Sequence, residues 1–159
     1  MFKRKILSKL EAWKRDERHK PLILRGARQV GKTTVVNEFG SQFDNYLYFN
    51  LEMNESVRLF EMDIPLNDLV NMLFASLGKS QKKGSTLIFI DEIQNSPKTI
   101  ALLRYFYEQR PDLYVIAAGS LLENLVDVNV SFPVGRVMYL ALRPCSFYEF
   151  LGAIGKNNL

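Results

Sequence analysis

The apolar run Leu22-Ile23-Leu24 leads directly into Gly26-Ala27-Arg28-Gln29-Val30-Gly31-Lys32-Thr33-Thr34. Two glycines, a lysine and a hydroxyl in the spacing G-x-x-x-x-G-K-[ST] form the pattern of a P-loop, a phosphate cradle set between a buried strand and a helix. Such a loop aims several backbone N–H groups at one spot, beside the positive end of the helix dipole. Gly26 and Gly31 permit backbone conformations that a side chain would forbid, and let an anion approach closely. Lys32 is placed to reach the β- and γ-phosphates of a nucleotide, and the Thr33 hydroxyl to ligate Mg²⁺. The expected nucleotide contacts are therefore Gly26, Ala27, Arg28, Gln29, Val30, Gly31, Lys32, Thr33 and Thr34.

The rest of the chain supplies a matching scaffold. A helical period runs through residues 2–16, and Pro21 starts an extended segment. Strands are expected at the run ending in Gly26, and at 45–51, 86–90, 113–118 and 137–142. Helices are expected at 32–40, near 66–77, from Ser96-Pro97 to about Gln109, briefly after the fourth strand, and from Ser146 to near Gly152. Ser96-Pro97 has the N-cap and first-turn proline of a helix start, and Ser146-Phe147-Tyr148-Glu149 has capping-box spacing. Strands alternating with helices predict an α/β fold with a parallel sheet covered on both faces. Ligands of such sheets bind beyond the carboxyl ends of the strands. Four of these strands run into polar or glycine residues: the glycine loop, Asn50 and Glu52, Asp91-Glu92, and Gly119-Ser120.

"LIFIDE" ends in two acids with separable roles. Asp91, at the end of a buried strand, fits the Walker B carboxylate that holds Mg²⁺ through its water shell. Glu92 is the candidate general base for a water attacking the γ-phosphate. Thr33 and Asp91 are thus the expected metal residues, with ATP and Mg²⁺ as the cofactors.

Composition narrows the setting. The 159 residues suit one domain, and 47% hydrophobic residues allow a real core. The single cysteine, Cys145, builds no disulfide framework, and there is no Cys/His spacing for zinc. Without a leader-like apolar stretch or a membrane-length run, the chain reads as cytoplasmic, with no membrane contact. The net charge of +4 is uneven: Lys3, Arg4, Lys5, Lys9, Lys14, Arg15, Arg18 and Lys20 face only Glu11, Asp16 and Glu17. A solvated helix face with Ile6, Leu7, Leu10 and Trp13 packed inward accounts for this better than a nucleic-acid contact does. Trp13 and a surface His19 suggest no chemistry.

The Asp91-Glu92 pair and the additional strand after it resemble the catalytic-glutamate class of P-loop ATPases, and within it the AAA+ proteins. That resemblance implies a three-layer fold with a five-stranded sheet in the order 5-1-4-3-2. It also implies a sensor-1 role for Ser120 against the γ-phosphate or attacking water, and sets Asn50 near Glu92 as a polar restraint. A closer resemblance, to a large group of predicted prokaryotic ATPases, runs through "RGARQVGKTT", "YFNLE", "IFIDEIQ", "AAGSLLE", the Gly135-Arg136 pair and "RPCSFYEFL". It implies an N-terminal helix over 1–20, an ATPase core over 21–152, and in 153–159 the start of a C-terminal region that is missing here. Those proteins often carry a nuclease-like or DNA-linked C-terminal domain, which leaves DNA open as a partner.

The expected activity is slow hydrolysis of ATP to ADP and phosphate, as the motor or switch module of a longer protein. A nucleotide-gated binding switch with little turnover and a P-loop kinase stay open as alternatives. A guanine-specifying N-K-x-D and an L-S-G-G-Q signature are both absent, against GTPase and ABC-type readings. Arg136 stands before the fifth strand, at the amino edge of the sheet, roughly 17 Å from the glycine loop at the carboxyl edge. Within one subunit it falls short of the nucleotide. It resembles instead an arginine finger acting on a neighbouring copy in a homo-oligomer, or else a surface arginine paired with a carboxylate.

Overall fold

A computed structural model describes residues 5–120 and 133–155. Helix α1 (Ile6–Arg15) buries Ile6, Leu7, Leu10 and Trp13 along one stripe and turns its basic residues outward. Strand β1 (Leu22–Arg25) leads through the glycine loop into α2 (Lys32–Gly40). Strand β2 (Asn45–Asn50) is followed by α3 (Asn54–Phe60) and α4 (Leu66–Ser76). Strand β3 (Thr86–Asp91) passes through a 3₁₀ turn at Ile93–Asn95 into α5 (Pro97–Gln109). Strands β4 (Tyr114–Gly119) and β5 (Met138–Ala141) and helix α6 (Phe147–Ala153) complete the order.

All recorded strand pairs are parallel, and the sheet order is β2-β3-β4-β1-β5, the expected 5-1-4-3-2 read from the other edge. Alternation along the strands sends successive side chains to opposite faces. Ile23, Leu47, Ile88, Ile90, Val115 and Ala117 pack beneath α3, α4 and α5. Leu22, Leu24, Leu87, Phe89, Ile116 and Ala118 pack against α1 and α2. Two apolar layers on one sheet give the predicted α/β/α sandwich. Strand β3 is buried at every position, as a central strand must be, whereas edge strand β5 is mostly exposed.

Local signals decide the helix starts. The buried Ser96 hydroxyl accepts from the Thr99 backbone N–H, with Pro97 in the first turn of α5. At α6 both bonds of the capping box are made: Ser146 N–H donates to Glu149 Oε2 (2.8 Å) and Glu149 N–H to Ser146 Oγ (3.2 Å).

Three expectations change. The polar stretch after β2 is helical, forming α3, because Val57 and Phe60 lie one helical turn apart and pack onto the core. The third strand extends one residue, which puts Asp91 on its last pleat opposite Asn50. His19 is buried rather than at the surface: its ring stacks on Tyr114 with centroids 3.9 Å apart, and its nitrogens lie 3.2 and 3.1 Å from the Asp16 and Leu113 carbonyls. The helix expected after the fourth strand lies outside the described residues, as do the first residues of the leading helix and the end of the 153–159 segment. No helix among the described residues is long and apolar enough to cross a membrane.

Candidate functional site

The loop between β1 and α2 is shaped by two different glycine requirements. Gly31, at the N-cap of α2, has φ 92°, which favours glycine. Gly26 is needed for space instead. A Cβ there would lie 2.6 Å from the Leu142 carbonyl oxygen and 3.0 Å from Val30 Cγ2. The chain leaving β5 presses onto it while Leu142 N–H donates to Arg25 O (2.7 Å). Gln29 takes φ 63° with a side chain present, a sparsely populated conformation at the loop's exposed tip. Ala27, Arg28 and Thr34 are also exposed, while Val30 plugs the loop into the core.

Lys32 opens α2 with 7% of its surface exposed. Its ammonium donates to the Gly26 carbonyl (2.8 Å) and the Ala27 carbonyl (2.6 Å), curling beneath the loop. Burial pushes its pKa down, and the nearby charges of Glu92 and Asp91 oppose that shift.

Beside it, the Thr33 hydroxyl donates to Asp91 Oδ2 at 2.6 Å. Asp91 is 3% exposed and takes two further donors: the Tyr48 phenol on Oδ2 (3.1 Å) and the Glu92 backbone N–H on Oδ1 (3.0 Å). Burial, then the Asp91 charge, pushes the Tyr48 phenol well above its ordinary range. Glu92 has left-handed backbone, φ 54° and ψ 45°, which turns its side chain out of the strand direction. The Gln94 side-chain amide donates to its Oε2. Ser120 follows β4, whose Gly119 pairs with Arg25 just ahead of the loop. Its hydroxyl is buried and has no hydrogen-bond partner among the described residues.

Lys32, Thr33, Asp91 and Glu92 thus converge, with Ser120 at the same carboxyl edge of the sheet. Arg136 does not join them. Its Nε donates to Glu108 Oε1 (2.8 Å), and Met138 N–H bonds Pro21 O, which fixes the pair at the opposite edge. Asn50 sits opposite Asp91, but its Oδ1 accepts from Glu52 N–H (2.9 Å) and caps its own turn. The partner of the Glu92 carboxylate is Gln94, not Asn50. Gln94 and Tyr48 are the site residues that sequence reasoning missed. "DEIQ" places Gln94 two residues from Glu92 and offered a signal, whereas Tyr48 meets Asp91 only through the strand register.

Among the described residues no group of three or more His, Cys, Asp or Glu side chains is placed to hold a metal. Thr33 and Asp91 offer a hydroxyl and a carboxylate, hard oxygen donors and too few to hold a cation unaided. That donor set fits Mg²⁺, which is commonly held by one or two protein oxygens together with substrate phosphates. A cavity of about 530 Å³ lined by Lys5, Lys9, Tyr139, Leu142, Arg143 and Glu149 adjoins the loop through Leu142.

A family model described as an AAA domain matches residues 18–151. The chain belongs to the AAA-domain family. It is therefore a P-loop nucleotide-binding domain of ATPase type. A chain in a solved structure of Drosophila ORC bound to DNA is similar in fold, with a TM-score of 0.55 at 15% identity. The match covers 86% of the present chain and 41% of that one, so this AAA domain spans less than half of its structural neighbour's length. Among curated proteins no sequence matches.

Proposed function

We propose that this AAA domain binds ATP with Mg²⁺ and hydrolyses it to ADP and phosphate, as the motor or switch module of a longer protein. The observation that carries the reading is the 2.6 Å bond from Thr33 to Asp91, made within a few residues of Lys32 and Glu92. In this reading the loop N–H groups and Lys32 hold the phosphates. Thr33 keeps its hydroxyl proton directed at Asp91, which would leave its lone pairs for the cation. Thr33 and Asp91 would hold Mg²⁺, which would supply electrostatic neutralisation of the charge that develops on the phosphates. Glu92 takes the proton from the attacking water, and the buried Ser120 hydroxyl gains its missing partner from the γ-phosphate or that water.

Glu92→Gln separates binding from chemistry. The variant should keep ATP affinity in titration calorimetry while phosphate release falls about 10²–10⁴-fold. Hydrolysis at the parental rate would remove Glu92 from the base role. A kinase would show phosphate passing to an acceptor instead of water.

A second reading, a binding switch with little turnover, draws on one feature of the site. Glu92 Oε2 is engaged by Gln94, so the base is restrained before any partner acts. Residual turnover in the parent, measured in a single cycle, distinguishes the two. The DNA in the ORC structure supports, at the level of a proposal, DNA as a partner reached through the C-terminal region of a longer protein.

A further inference from the structure

We infer that Tyr48 is a positioning residue for the metal site, locking the Asp91 carboxylate so that it grips Mg²⁺ through a bound water. The inference rests on the reading of Asp91 given above. Tyr48 lies on edge strand β2 and pairs with Phe89, two residues before Asp91 on β3. Its ring leans on the Phe89 ring, with centroids 5.2 Å apart, and so runs along the strand toward the carboxyl edge. This delivers the phenol oxygen to within 3.1 Å of Asp91 Oδ2. The phenol O–H is the donor of that bond and the carboxylate oxygen its acceptor.

A count of lone pairs gives the consequence. A carboxylate has about four acceptor directions. Thr33 and Tyr48 fill those of Oδ2, and the Glu92 N–H takes one on Oδ1. One direction on Oδ1 is left, enough for a water held by the cation. Tyr48 also fixes the carboxylate plane. The Thr33 O–H then stays directed at Asp91, and its lone pairs remain free for the metal. Groups one step behind a metal ligand commonly change metal affinity about 10–100-fold when removed.

The nearby Tyr46 provides the control. It sits two residues earlier on the same face of β2, but its hydroxyl donates to Asn37 and not to Asp91.

The test uses the full 159-residue chain and a non-hydrolysable ATP analogue. Its affinity is measured by calorimetry in chelator and across a Mg²⁺ series. Tyr48→Phe should raise the Mg²⁺ concentration for half-maximal tightening about tenfold, at the low end of the range for such groups. Affinity in chelator should stay unchanged, and Tyr46→Phe should match the parent in both conditions. A parental Mg²⁺ dependence in Tyr48→Phe would overturn the inference, provided Asp91→Asn loses that dependence in the same assay. If Asp91→Asn also keeps it, the metal-site reading fails along with the inference. An equal shift in Tyr46→Phe would mark a general effect of strand β2 and overturn it too. Phenylalanine keeps the ring that packs on Phe89 at position 48 and the ring that lies against Gly40 at position 46, so both tyrosine variants should fold, as a thermal melt checks.

Discussion

At the scale of single residues, similar amino acids do different work within a few ångströms. Gly31 is glycine for its backbone angle, and Gly26 is glycine because the Leu142 carbonyl fills the place of a side chain. Gly26→Ala must therefore move backbone against backbone, which a flexible side chain could have avoided. An overpacking cost of about 1–3 kcal/mol is expected, lowering Tm by roughly 3–9 °C in calorimetry. An unchanged Tm would show that the loop and the β5 exit part freely. Lys32 shows another tension. Burial disfavours its charge, the two acids favour it, and its ammonium is satisfied by the Gly26 and Ala27 carbonyls of its own loop. Phosphates arriving at the loop compete for a cation that is already placed.

At the scale of elements, the helix ends carry more specificity than the helix interiors. The Ser96 hydroxyl is fully buried, and besides capping α5 it donates to Glu61 Oε1 (2.8 Å) and contacts Thr99 Oγ1 (2.7 Å). It ties α5 to Glu61, the residue that caps the end of α3. Ser96→Ala removes the cap and leaves buried polar partners unpaired, so a loss of about 1–3 kcal/mol is expected in urea unfolding. Ser146→Ala, at the exposed seven-residue α6, should cost less, about 0.5–1 kcal/mol. Equal losses would show that burial adds nothing to the cap. The 3₁₀ turn after β3 has a similar local function. It brings Gln94 back beside Glu92, which a straight continuation of the strand would have kept apart.

At the scale of the whole molecule, the sheet separates two sets of charges. The carboxyl edge holds Lys32, Asp91 and Glu92, and the amino edge holds Arg136 with Glu108 and Arg104. Arg136 is half-exposed and in a surface ion pair, a kind worth little on its own and easily exchanged for another anion. We propose that in an assembly it leaves Glu108 for the nucleotide of a neighbouring copy. Specific ATPase activity should then rise with protein concentration, and Arg136→Ala should abolish the rise while ATP affinity stays nearly intact. An arginine supplied in trans can contribute about 10³–10⁵ in rate, so the isolated domain should be slow. Concentration-independent turnover that survives Arg136→Ala would leave Arg136 as a surface charge.

Much of this architecture is written in short-range pattern. The spacing of Gly26, Gly31, Lys32 and Thr33, the unbroken apolar run before Asp91, and the caps at Ser96 and Ser146 each act over a few residues, so sequence alone determined them. Even the sheet order was legible, through the resemblance carried by those motifs. Tertiary structure decided whatever depends on which strand lies beside which. Asn50 and Tyr48 are two residues apart on one face of β2, yet Asn50, directly opposite Asp91, is taken by the Glu52 N–H of its own turn, while the longer Tyr48 side chain reaches Asp91 from two residues back. Gly26 owes its identity partly to Leu142, more than a hundred residues away in the chain. Helix α3 owes its stability to Phe60 entering a core that a reading of its polar surroundings does not reveal. Local pattern places the chemistry; long-range packing chooses its partners, because a hydrogen bond is decided within about 3 Å and distance along the sequence does not measure that.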